Sequence, residues 1–522
     1  MDRRIRIMLV ALVACFIVLF VQLNNLQVRQ ASSLDNSQYQ PPAQGVINPN
    51  ALPRGDIVTS DGKIIAESGP IQAGDSYGPK RIYPYGSLYT DITGYFDVVD
   101  TNSTGLENEY NAYLVKHQAT AHSLSGLLTE QSGTGTVATT INSKLQEVAA
   151  AALAPYSNGS VVAIDPATGA ILAMYGKPTF DPNLLAQHSQ KAVLKYFNSL
   201  NPSSSSSPLV NAPVGRTYNP GSTFKVVTTA GIFDHDPSIE TQIFPQQTSL
   251  KIPQTPQLLH NFGGERCGGA LAEILAASCD TAYAKIGLEL GANALVSEAG
   301  NFGFNRTPPI DLPSYEVATP CFPPLESNPY AASACYPKSV VLANPVIPIG
   351  PGNQPFVAYS AIGQGNVTES ALQDALIAAT IGDGGVMMTP HLMSAIVNSQ
   401  GQVVSIYKPT PYLTSTSQGT ADSVRNLMLG VAAGGTASGL FPPSLNVAAK
   451  TGTAETGLSG CSSTWLIATA PAGPTQTPKI AVAAVVPAAA GIGCSETGAA
   501  VAGPIVAKII DAYLLPSAAT HG

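Results

Sequence analysis

Asn219-Pro220-Gly221-Ser222-Thr223-Phe224-Lys225 leads into Val226-Val227-Thr228-Thr229-Ala230-Gly231-Ile232-Phe233, a run apolar enough for a buried helix. The Pro-Gly pair ends an extended stretch. It sets Ser222 in the first helical turn and Lys225 one turn on, on the same face and about 5–6 Å away. A serine hydroxyl is a poor nucleophile until a base takes its proton, and a lysine desolvated beside it can do so. The helix N-terminus adds partial positive charge and free N–H groups where negative charge would develop. In a chain of 522 residues a Ser-x-x-Lys arises readily by chance. It acquires meaning only from its companions.

Two companions follow in order. Ser278-Cys279-Asp280 offers a second hydroxyl to relay protons and a short polar side chain to hold a substrate amide. Its plainer reading is a helix N-cap made by Ser278 or Asp280. Further on, Asn446-Val447-Ala448-Ala449-Lys450-Thr451-Gly452-Thr453-Ala454-Glu455 reads as a strand interrupted by glycine. A glycine there marks close approach of another backbone, as when a peptide substrate adds to a sheet edge. Lys450 with the Thr451 and Thr453 hydroxyls would suit a terminal carboxylate, and a bulged surface strand is the alternative.

Around these motifs the pattern is that of an α+β layered domain over about 158–516. Ser160-Val161-Val162-Ala163-Ile164 and Ala170-Ile171-Leu172-Ala173-Met174 flank an Asp-Pro-Ala-Thr-Gly turn and read as a buried hairpin. Residues 463–470 and 479–486 are again strand-like and precede a helical stretch at 501–513. The sheet is thus expected to draw on both ends of the domain, with the helices between. The serines of 203–207 and the proline-rich stretch 308–355 read as surface insertions. Upstream, residues 54–157 form a smaller mixed region: a hairpin about Ser60-Asp61-Gly62, a short helix within 106–114, a strand at 137–141 and an Ala-rich helix at 143–153 capped by Ser143.

Arg3, Arg4 and Arg6 precede an apolar run from Ile7 to Val21 that continues with Leu23 and Leu26. A spanning helix needs about 20 such residues, and the arginines place its N-terminal side in the cytoplasm. The division expected is a cytoplasmic tail at 1–6, a signal anchor at 7–26, a linker at 27–53, the small region at 54–157, the large domain at 158–516 and a tail at 517–522. A cleavable signal peptide is the alternative, but no small-x-small site follows the run. Cys15 falls in the anchor. Six cysteines remain, Cys267, Cys279, Cys321, Cys335, Cys461 and Cys494, and six permit 15 pairings; neighbour pairing is the simplest. They lack zinc spacing. Charged residues are only 11% and the net charge is −8, which argues against a nucleic-acid partner.

Ser-x-x-Lys opening a helix, then Ser-x-Asp, then Lys-Thr-Gly on a strand resembles the signature set of penicillin-binding proteins and serine β-lactamases. The likeness extends to Arg216-Thr217-Tyr218 before the first motif, to Ile362-Gly363-Gln364-Gly365 and to Gly384-Gly385-Val386-Met387-Met388-Thr389-Pro390. In the small region it includes Arg54-Gly55-Asp56-Ile57, Arg81-Ile82-Tyr83-Pro84-Tyr85-Gly86 and Gly105-Leu106-Glu107. The chain is therefore identified as a member of the class B penicillin-binding proteins, similar in length and texture to the actinobacterial penicillin-binding protein A type.

That resemblance implies an antiparallel sheet with helices on both sides plus an all-helical part, preceded by a dimerisation or pedestal domain. It implies a D-Ala-D-Ala transpeptidase acting on peptidoglycan stem peptides and lipid-linked glycan strands, in wall synthesis and division. Ser222 would be the nucleophile, Lys225 the general base and Ser278 the proton relay, tuned by Lys450. Thr451, Gly452 and Thr453 would face the terminal carboxylate, with the Ser222 and Thr453 N–H groups as oxyanion hole. β-Lactams would acylate Ser222, and no metal or organic cofactor is implied. The cytoplasmic membrane, a membrane glycosyltransferase and division proteins would be partners. A β-lactamase or penicillin sensor uses the same pocket, and a non-catalytic division scaffold keeps the same fold. The one departure is Asp280, where the family usually has asparagine.

Overall fold

The computed structural model describes residues 16, 52–70, 77–99, 102–115, 134–325, 353–455 and 461–515. Residues up to Pro49 form one unit and Asn50–Gly522 a second. The expected anchor lies outside the described residues except for Phe16. Among the described residues no helix is long and apolar enough to cross a membrane.

The second unit is built on a five-stranded antiparallel sheet. In chain order its strands are β1 (Gly159–Ile164), β2 (Ile171–Lys177), β3 (Ala448–Glu455), β4 (Ser462–Ala470) and β5 (Ile480–Val486). Their spatial order is β3-β4-β5-β1-β2, so both ends of the domain meet in one sheet, as the two apolar hairpins suggested. β4 and β5 are buried at every residue. A strand reads as a near-continuous apolar run when both of its faces are covered. The covering helices are α1 (Ser143–Leu153), α2 (Lys225–His235), α3 (Asp280–Asn301, broken at Gly291), α4 (Ala371–Gly382), α5 (Gln418–Gly434) and α6 (Ala502–Leu514). α4 packs across β1, β4 and β5, while α6 and α1 pack on each other and on the sheet. α2 packs against α3 and α5 beside β3 and forms the helical part.

α1 spans the residues expected, but its cap is different. Asn142 is the N-cap, its Oδ1 accepting the Leu145 N–H at 3.1 Å. Ser143 already has helical position, and its hydroxyl donates to Asp61 at 2.6 Å. Asn142→Ala should lower unfolding free energy by about 1 kcal/mol. Denaturant melts measure this, and an unchanged midpoint would refute the cap.

A second sheet, of six strands, draws on both sides of the boundary expected at residue 157. It runs Val403–Ile406, Met393–Val397, Thr136–Thr139, Ile57–Val58, Ile64–Ser68 and Arg81–Ile82. Strands from the large region thus complete the sheet of the small one. Glu107 is wholly buried there between Arg54 and Arg81, 2.8 Å and 2.5 Å away. The two guanidinium charges hold its carboxyl below the usual range against the upward push of burial.

The proline-rich stretch is not a simple surface insertion. Its described part, up to residue 325, buries Ile310, Leu312 and Phe322. Phe322 stacks on Phe224 with ring centroids 5.4 Å apart, and Phe304 meets Phe224 edge-on at 5.3 Å. This aromatic cluster lies directly under the Ser222 turn.

Candidate active site

Gly221–Phe224 forms a single 3₁₀ turn that runs straight into α2. In a 3₁₀ turn residues three apart eclipse, so Ser222 and Lys225 lie one above the other as the spacing required. Gly221 has φ +58°, a conformation that glycine adopts without cost. Ser222 is 8% exposed and Lys225 is wholly buried. Among the described residues no hydrogen bond reaches the Ser222 hydroxyl.

The Lys225 Nζ instead donates to the Ser278 carbonyl at 2.7 Å and to Asp280 Oδ1 at 2.7 Å, with Ser278 Oγ at 3.4 Å. Ser278 is left-handed at φ +58°, rare for a non-glycine residue. This conformation lets its carbonyl meet one lysine while its hydroxyl meets another: Lys450 Nζ lies 2.8 Å from Ser278 Oγ and 2.9 Å from the Thr451 carbonyl. Burial lowers the pKa of Lys225, opposed by the Asp280 charge. Lys450 is pushed well below the usual ammonium range, first by burial and then by the Lys225 charge. Two lysines therefore converge on one serine hydroxyl, and a buried like-charge neighbour favours the neutral amine.

Neither Ser278 nor Asp280 is the N-cap of α3; Cys279 holds that position. Cys279 is bonded to Cys267, tying the second motif to the neighbouring strand Cys267–Gly269. Asn261 adds a further tie, its Oδ1 accepting the Thr281 N–H at 2.9 Å. Cys461 and Cys494 are also bonded. Cys321 is disulfide-bonded, and Cys335 lies outside the described residues.

Lys450 to Thr453 stand on β3, the edge strand of the five-stranded sheet. Gly452 is explained by a close approach, but the approaching backbone belongs to the chain itself. A β-carbon there would sit 2.7 Å from the Pro220 carbonyl and 2.9 Å from the Trp465 side chain. Gly498 likewise has no room for a side chain, since its β-carbon would meet the Trp465 and Gly452 carbonyls at 2.3 and 2.4 Å. Trp465 Nε1 donates to the Asn219 carbonyl at 2.9 Å. The Ser222 turn, β3 and the 497–499 loop thus lie close together, with the Trp465 side chain tied to the residue before Pro220.

A cavity of about 250 Å³ opens above this arrangement, lined by Ser222, Ser278, Asp280, Thr451 and Thr453. Lys225 and Lys450 lie behind its wall. The sequence reading missed Thr436, whose hydroxyl is 2.6 Å from that of Thr451, and the 497–499 loop, whose Gly498 N–H donates to Thr453 Oγ1 at 3.3 Å. Neither carries a motif. Both are recruited by tertiary packing alone.

The family model for the penicillin-binding protein transpeptidase domain matches residues 159–511, and that for the penicillin-binding protein A dimerisation domain matches residues 54–137. Peptidoglycan D,D-transpeptidase PbpA of Mycolicibacterium smegmatis is 31% identical over 517 residues, covering 96% of this chain and 97% of the relative. PbpA of Mycobacterium tuberculosis is 31% identical over 528 residues, covering 98% of each chain. The crystal structure of PBPA from M. tuberculosis superposes with a TM-score of 0.73 at 30% identity, covering 88% of this chain and 99% of that one. Its ceftriaxone acyl-enzyme complex gives 0.73 at 30% identity, covering 90% and 100%. From the small N-terminal region to the last helix of the large one, the chain belongs to the penicillin-binding protein transpeptidases.

Proposed function

We infer that the protein is a peptidoglycan D,D-transpeptidase that works through an acyl-enzyme on Ser222 and is acylated there by β-lactams. The observation that carries this is the convergence of Ser222, Ser278 and two buried lysines on one cavity at a sheet edge. Ser222 Oγ attacks the carbonyl carbon between two terminal D-alanines, and its proton passes to Lys225. The oxyanion that forms is held by the Ser222 and Thr453 N–H groups. As the C–N bond breaks, Ser278 hands a proton to the departing D-alanine and takes up the one Lys225 holds, 3.4 Å away, with Lys450 holding the Ser278 hydroxyl in line. Thr451 and Thr453 receive the terminal carboxylate, and Gly452 lets β3 approach the nucleophile. An amine of a neighbouring stem peptide then takes the acyl group.

The reading extends to the rest of the chain. Residues 7–26 are a single-pass anchor in the cytoplasmic membrane, with 1–6 inside and 27–53 a linker. Residues 54–157 serve as the dimerisation or pedestal domain and 158–516 as the transpeptidase domain, both outside the membrane. A membrane glycosyltransferase and division proteins are the partners such an anchored enzyme would meet.

The test is covalent. Incubation with benzylpenicillin should add one acyl group, mapped by peptide mass spectrometry to Ser222, and Ser222→Ala should show none. An adduct on a different serine would overturn the assignment.

Asp280 bears on the base. Its carboxylate favours the charged form of Lys225, so Asp280→Asn should lower the Lys225 pKa further. Acylation requires the neutral amine. The rise of acylation rate with pH should therefore move to lower pH in the variant, with the plateau unchanged or higher. A loss of about a hundredfold, roughly 2.7 kcal/mol of barrier, would give Asp280 a role of its own.

A further inference from the structure

A second and larger cavity, about 560 Å³, adjoins the first. Phe262, Asp280 and Thr453 line both, so a molecule seated in the second lies beside the Ser222 cavity and next to the Asp280 that holds Lys225. Leu258 and Phe262 give it apolar walls and are 53% and 40% exposed. At its rim stands Glu455, the last residue of β3. The Glu455 carboxylate has no hydrogen bond or ion pair among the described residues. Its charge is felt by Tyr359 across the cavity, whose phenol is raised first by burial and then by Glu455. The Asp280 charge is matched by Lys225 at 2.7 Å. Glu455 is thus an uncompensated negative charge, and no lysine or arginine lines the cavity among the described residues.

We propose that this second cavity is the acceptor site, taking a primary ammonium on an apolar stem that bears no free carboxylate, with Glu455 holding the ammonium. The proposal rests on the transpeptidase reading and specifies its second substrate. The apolar walls fit the stem, and the absence of lysine and arginine from the described lining disfavours an acceptor that brings its own carboxylate. In the transfer the ammonium gives one proton to the Lys225–Asp280 pair, free again once D-alanine has left. The nitrogen lone pair then forms the C–N bond to the acyl carbon. As the ester C–O bond to Ser222 breaks, the second N–H proton passes to Ser222 Oγ, restoring the hydroxyl.

The experiment uses the full chain acylated by a thioester donor, with N-acetylcadaverine or 6-aminohexanoate as competing amines of similar length. Aminolysis and hydrolysis products are counted, and benzylpenicillin acylation is measured on the same samples. The intact protein should prefer N-acetylcadaverine by about fivefold, close to 1 kcal/mol for a partly exposed charge. Glu455→Gln should erase the preference and Glu455→Lys reverse it, with penicillin acylation unchanged in both. Equal use of the two amines by the intact protein, or a preference untouched in Glu455→Lys, overturns the acceptor assignment alone. Failure of benzylpenicillin to acylate Ser222 in the intact protein overturns the underlying enzyme reading instead.

Discussion

Replacing Lys225 with alanine is expected to slow benzylpenicillin acylation by about a thousandfold or more, roughly 4 kcal/mol of barrier. Lys225 is wholly buried, and burial lowers its pKa against the pull of Asp280, which makes its neutral form easier to reach than that of an exposed lysine and suits it to take the Ser222 proton. Lys225→Arg separates charge from basicity. A guanidinium keeps the positive charge and the contact to Asp280 but does not deprotonate, so it should be as slow as alanine. Stopped-flow acylation with a chromogenic β-lactam measures both, and melting curves check that each variant is folded. If Lys225→Arg retains a tenth or more of the rate, the positive charge is what matters and the base lies elsewhere.

What the sequence revealed about this site follows a physical division. The three motifs were legible because each needs particular side chains at fixed local spacing. Ser222 and Lys225 are three apart in one turn, and Lys450 to Thr453 are consecutive on one strand. The layered sheet was legible because β5 and the middle of β4, buried on both faces, are mainly apolar. Residues whose role arises only when distant segments meet were not. Gly498 looks like any loop glycine until it lies on Gly452 and Trp465. Phe322 sits in a proline-rich stretch that local composition assigns to the surface, yet it supports the Ser222 turn through Phe224. Gly452 was expected to admit a substrate strand, and the backbone it accommodates is that of Pro220. The reason for the glycine was right in kind and different in partner. The Asn142 cap was misassigned by one position because Ser143 and Asn142 are both good caps, and Asp61 claims the serine.

The least legible feature is a pair of carboxyl groups beside the Ser222 turn. Glu369 and Asp374 are wholly buried, Asp374 on the apolar helix α4 and Glu369 just before it, bridged by its backbone to Tyr218. None of their four oxygens has a well-aligned hydrogen bond among the described residues. Burial raises the Asp374 pKa to about 8, with Thr223 and Glu369 pulling it down, and it raises Glu369 further with the Asp374 charge adding to the shift. Like charges this close do not both ionise readily, so the pair keeps protons that the unfolded chain has lost. The sign follows from proton binding. Below about pH 4 both carboxyls are protonated folded or unfolded, and the stability they permit is fully present. Between there and about 8 the unfolded chain holds fewer protons than the folded one, so unfolding free energy declines as pH rises. Substituting Glu369→Val together with Asp374→Leu should therefore stabilise the protein by about 1–4 kcal/mol at pH 8, as when a buried ionisable pair gives way to packed apolar groups. The gain should shrink steadily as the pH is lowered toward 4. Urea melts of both proteins across that interval decide it, because a difference that does not change with pH would mean the two carboxyls titrate as ordinary surface acids and do not share a proton in the core.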